Sequence, residues 1–293
     1  MTEHLAYHMI GEVAAIMAAV FWSIAAILYK KGLQDVEALP AVLIRTFFAM
    51  VFMFLVNTLL HSSDYAIPLM AFLFLSLGGI LRLFIGGYLY FRGLEYASVS
   101  RVIPLIFTFP LLTILLSHLI LNEKITSGLV LGTLLLFTGI WVLSREKASG
   151  SEKNPRLGMI FTLSAAVCYA FSIIATRTGL YDVEPIWAAF ISLPMPVMTM
   201  YLLFSVDKGP TAALKLDKRS SAILGMGGIF GMGLGSYMFF ISLTHIGTAQ
   251  ATSLGSVTPL FSSLLAVKFL GEKVNQQLLL GTIIMISGIW LVI

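Results

Sequence analysis

Charge is scarce in this chain. Asp, Glu, Lys and Arg make up 11% of its 293 residues, about half of what a soluble domain carries. Cysteine is nearly absent as well. Cys168 stands alone, which excludes an intrachain disulfide and a cysteine metal cluster; inside an apolar run it reads as packing. No basic run interleaved with aromatics offers a nucleic-acid groove, and the formal charge of +4 comes from residues at helix ends. No Lys or Arg precedes the first apolar stretch, so no cleavable secretory signal is expected. The chain carries no Walker motif, which removes ATP drive, and no HExxH, intramembrane aspartate pair or GxSx nucleophile, which argues against an enzyme. No cofactor or metal-ligating pattern appears.

Apolar residues fill the space. They make up 58% of the chain, and the mean hydropathy is +0.96. The runs are long and continuous, which excludes a membrane β-barrel, whose strands alternate. About 20 apolar residues are needed to cross a bilayer as a helix. Ten segments qualify, near 10–30, 39–60, 67–92, 98–121, 126–144, 157–177, 185–205, 220–243, 248–270 and 275–293. The polar stretch 145–156 divides them into blocks 1–144 and 157–293, of five spans each.

The blocks repeat. Lys30, Gly32 and Asp35 fall on Arg177, Gly179 and Asp182 (177 − 30 = 147). Tyr88, Pro110, Glu123 and Trp141 fall on Tyr237, Pro259, Glu272 and Trp290 (237 − 88 = 149). Each block has an odd number of spans, so the second enters the membrane inverted. The expected fold is all-α: a polytopic membrane protein of ten transmembrane helices built as two inverted five-helix repeats. Inverted repeats place a substrate site near the midplane between them.

At these residues the chain resembles the drug/metabolite transporter superfamily, in particular the ten-helix EamA-like permeases. The first helix ends in a base and Gly-Leu, Arg45 lies early in the second, and the third runs into GLEYAS. A proline-bearing fourth helix, NEK, and a fifth helix ending GIW follow. The resemblance implies secondary transport of a small metabolite, often export of an amino acid or related carboxylate, from the cell membrane. A drug, organic-phosphate or nucleotide-sugar-like cargo is the alternative within the class; a non-transporting receptor or assembly protein is the alternative outside it. In the small multidrug-resistance relatives a first-helix glutamate lies eight residues before the closing base. Here Trp22 and Tyr169 stand at that distance from Lys30 and Arg177, which puts that proton-exchange mechanism in doubt. Arg45 also departs from the repeat, since Ser192 is its counterpart.

Substrates are rarely two-fold symmetric, so polar residues present in one block only are the better binding candidates. Arg82 is such a residue; its counterpart is Gly231. All 14 acidic residues lie in loops or near span ends, leaving no intramembrane partner for it. It either snorkels or bonds broken-helix carbonyls, or it faces a wet cavity and binds an anionic or zwitterionic group. Trp22, Tyr169, Tyr88 and Tyr237 either wall that cavity or pack between helices. Thr108, Ser253 and Ser256 either line it or bond their own backbone. Pro110, Pro259 and Pro194 should bend their helices, with gating as the functional reading. A coupling proton or ion is compatible with the sequence but nothing selects it, and oligomeric state is open, with a monomer sufficient. Basic residues concentrate on the linker side, with Lys124 and Arg177 on the other, so the positive-inside rule puts the linker in the cytoplasm and both termini outside.

Overall fold

A computed structural model describes residues 2–32, 38–60, 67–144, 153–209, 217–270 and 276–293. Every regular element among them is helical, which satisfies backbone groups within each segment where no water can reach them. In chain order these are α1 (Thr2–Gly32), α2 (Ala38–Leu60), α3 (Leu69–Gly79), a π-helical turn π1 (Ile80–Gly86), α4 (Gly87–Tyr96), α5 (Val99–Ile106), α6 (Phe109–Leu121) and α7 (Ser127–Leu143). Then come α8 (Pro155–Gly179), α9 (Pro185–Ile191), α10 (Pro194–Lys208), α11 (Lys218–Gly228), π2 (Ile229–Gly235), α12 (Ser236–Ile246), α13 (Thr248–Gly255), α14 (Thr258–Leu270) and α15 (Gln276–Val292).

Among the described residues, seven helical segments are long and apolar enough to cross a membrane. They coincide with seven of the ten expected spans. At the other three positions lie α7 and α15, each 17 residues, and the interrupted pair α13 and α14. Helix starts carry local signals. Thr126, Asn154 and Asp217 accept from the backbone N–H of Leu129, Leu157 and Ser220. The Ser220 bond holds the Asp217 carboxyl below its usual range. Pro155, Pro185 and Pro194 occupy first helical positions, where a missing N–H costs nothing.

Three apolar segments are broken, and their prolines lie just beyond the breaks. Phe107–Thr108 separates α5 from α6, Ser192–Leu193 separates α9 from α10, and Ser256–Val257 separates α13 from α14. Pro110, Pro194 and Pro259 each sit within two residues of the start of the following helix. The third and eighth segments are not plain α-helices: each carries a seven-residue π turn, and the two turns fall at matching places (229 − 80 = 149).

The blocks are interleaved. α1 packs on α11, π2, α12 and α14, and α8 packs on α3, π1, α4 and α6. α2 lies on α11, α10 on α3, and α7 on α15. Glycine makes the closest approaches possible. A Cβ at Gly79 would overlap the carbonyl of Ser192, and one at Gly228 would overlap the carbonyl of Arg45. The exchange is reciprocal between matching residues of the two blocks. Glu123, in the α6–α7 connection, reaches across and accepts from the first N–H groups of α13, at Thr248 (2.7 Å) and Ala249 (3.0 Å).

Candidate substrate cavity

Between the blocks lies a cavity of about 340 Å³. α1 contributes Trp22, Ala25, Ala26 and Tyr29, at spacings that keep one helical face turned inward. α8 contributes Tyr169, Ser172 and Ile173. Arg82 of π1, Tyr90 of α4, Gly231 and Met232 of π2, and Phe239 of α12 close the sides. Two of the three proline-associated breaks open onto it, through Phe107 and Phe109 and through Thr252, Gly255 and Thr258.

The first-helix aromatics rest on glycines of the opposite block. A Cβ at Gly86 would meet the Tyr169 ring at 2.6 Å, and one at Gly235 would meet the Trp22 ring at 2.8 Å. Trp22 Nε1 donates to the Gly231 carbonyl at 3.0 Å, inside the π turn. Its ring lies 5.3 Å from Phe239, while Tyr169 meets Phe109 edge-on at 6.0 Å.

Arg82 breaks the correspondence. Its Nη1 donates to the Ser236 hydroxyl at 3.0 Å, and its guanidinium lies 5.9 Å from the Phe240 ring. Nη2 is buried with no hydrogen-bond partner among the described residues. A second arginine stands close by. The Arg45 guanidinium lies over the Tyr29 ring at 4.9 Å, behind the cavity wall, and its Nε is likewise buried and unbonded. Tyr29 Oη in turn donates to the Gly227 carbonyl at 2.9 Å. Sequence reasoning left Arg45 out of the site although the same asymmetry that singled out Arg82 applies to it.

Of the residues expected to line a cavity, Arg82, Trp22 and Tyr169 come together there. Tyr88 does not. It is 58% exposed and borders an outer groove with Leu83, Phe84 and Arg92. Tyr237 packs among core side chains. Thr108 sits at the break, its hydroxyl bonded to the Leu105 carbonyl (2.7 Å), while its neighbours Phe107 and Phe109 face inward. Ser253 and Ser256 are buried away from the lining; Ser253 bonds Thr133 (2.7 Å) and the Ala249 carbonyl, and Ser256 bonds the Ser253 carbonyl. On that segment Thr252 and Thr258 line the cavity instead.

The EamA-like transporter family matches this sequence twice, over residues 9–145 and 156–293. The chain belongs to that family. A relative described as an uncharacterized transporter of Archaeoglobus fulgidus is 27% identical over 286 residues, covering 97% of this chain and 98% of its own length. The uncharacterized transporter YoaV of Bacillus subtilis is 22% identical over 283 residues, with 94% of each chain covered. A solved crystal structure whose description gives no activity superposes with a TM-score of 0.80 at 18% identity, covering 96% of this chain and 95% of its own. This EamA-like protein is therefore a multi-pass membrane transporter rather than an enzyme, working in a lipid bilayer on a small molecule.

Proposed function

We propose that this EamA-like protein is a secondary carrier of the cell membrane that exports a small carboxylate metabolite, of amino-acid size, by alternating access. Its working form has ten spans, α7, α15 and the α13–α14 pair included, in two inverted units, 1–144 and 157–293, joined by a cytoplasmic linker at 145–156. One observation carries the reading: an aromatic-walled cavity between the blocks, with the unmatched Arg82 in its wall. The interleaved first and third spans supply two similar surfaces that can rock about that cavity. The breaks before Pro110, Pro194 and Pro259 supply flexible points on three spans, two of which line the cavity.

Reconstitution into liposomes tests the carrier class. Saturable flux with trans-stimulated counterflow is expected; a receptor gives ligand binding without either. For orientation, a C-terminal tag is expected to react with an impermeant reagent on intact cells. Labelling only after permeabilisation reverses the assignment.

A further inference from the structure

Hydrogen-bond donors and acceptors are out of balance around the cavity. Several carbonyls in and just behind its walls are taken by the protein itself. Trp22 occupies the Gly231 carbonyl, Tyr29 that of Gly227, and Thr258 Oγ1 that of Gly255 at 2.8 Å. Ser172 and Thr252 also donate to carbonyls of their own helices, at 2.8 and 2.7 Å. Donors are left over. Arg82 Nη2 and Arg45 Nε are buried without partners among the described residues. Among the described residues the lining includes no Asp or Glu. A buried donor left unsatisfied carries its full desolvation cost, and two guanidiniums without a counter-ion among the described residues add repulsion in a low-dielectric site.

We infer, building on the carrier reading above, that the cargo is an organic carboxylate with a flat, apolar body and no cationic group: an aryl acid rather than an amino acid. A carboxylate brings the acceptors that the site lacks, and its two oxygens suit the guanidinium fork of Arg82. The ring lies among Trp22, Phe109, Tyr169 and Phe239, whose faces and edges receive an aromatic group without needing polar partners. Arg45 stays behind Tyr29 and acts through its charge, as a positioning residue for the anion. An ammonium group meets two positive charges nearby, and the carbonyls of Gly231 and Gly255 are already used.

The test uses full-length protein in detergent, with calorimetry and thermal shift against 3-phenylpropanoate, phenylalanine, phenethylamine and propanoate. 3-Phenylpropanoate is expected to bind at least about tenfold tighter than phenylalanine or propanoate, and phenethylamine not measurably. Arg45→Gln is expected to weaken 3-phenylpropanoate about tenfold, and Arg45→Lys to keep most of the affinity because it keeps the charge. Absent 3-phenylpropanoate binding, or phenylalanine or phenethylamine binding equally well, overturns the inference. So does equal loss in the two Arg45 variants, which would mark a structural role. Binding without flux in liposomes would instead overturn the carrier reading and leave the ligand class standing.

Discussion

Arg82→Ala is expected to insert, purify as a single species and melt close to wild type, while counterflow of the best-binding acid falls about a hundredfold or more. The two effects separate for a physical reason. Truncating one member of a buried, charge-assisted pair costs about 2–5 kcal/mol of binding, a factor of about 30 to several thousand. Folding bears no such loss. Among the described residues the guanidinium makes one hydrogen bond, to Ser236, and leaves a second nitrogen unbonded. Ala removes a charge that costs at least about 2.5 kcal/mol in a bilayer interior and strands one hydroxyl at about 1–3 kcal/mol. The terms nearly offset. Arg82→Lys retains charge but not the planar fork, so it should recover only part of the flux. Unaltered counterflow in Arg82→Ala would remove the residue from the site.

Gly228→Ala is expected to cost more than about 3 kcal/mol and to give aggregated or low-yield protein, beyond the usual overpacking range of about 1–3 kcal/mol. The added Cβ would collide with the carbonyl oxygen of Arg45 and lie 2.6 and 2.8 Å from its C and Cα. These are backbone atoms that no rotamer change can move. Relief requires α2 to lift from α11, which also displaces Arg45 from Tyr29. Gly79→Ala should behave alike, against Ser192. Gly87→Ala is the matched control: its Cβ would make only an ordinary 3.7 Å contact, and Ala favours a helix over Gly by up to about 1 kcal/mol. Size-exclusion profiles and melting temperatures of the three variants decide it. Wild-type behaviour of Gly228→Ala would mean that α2 and α11 are not clamped at this contact.

Part of the candidate cavity was legible because the chain states it twice. Matching Gly86 with Gly235 and Trp22 with Tyr169 exposes a shared scaffold, and what fails to match stands out, as Arg82 does. The π turns were not legible. Nothing local in ILRLFIG or IFGMGLG demands wider winding. That winding shifts which residues share a face. Six residues advance about 240° on an α-helix, and beyond a π turn the phase changes again, so Tyr88 turns outward and Tyr90 inward. Ser253 and Ser256 misled for a different reason. A hydroxyl next to a helix break serves a cavity or its own backbone equally well on composition, and only packing against Thr133 decides. Arg45 was visible but went uncounted, because it reaches the cavity through Tyr29 rather than directly.

The interleaving of the blocks also sets a timetable for synthesis. Ala14, Ala15, Ala18, Ala19 and Ala25 give α1 a small-residue face that is almost fully buried, against helices that begin at Lys218. Between Gly32 and Lys218 the ribosome must add 186 residues (218 − 32), which takes about 10 to 40 seconds at ordinary elongation rates. Through that interval the first helix stands in the membrane without its partners. Lipid or an insertion chaperone has to occupy the face that α11 and α12 later claim. A nascent chain released after residue 144 would carry α1 to the membrane with none of the helices that bury it.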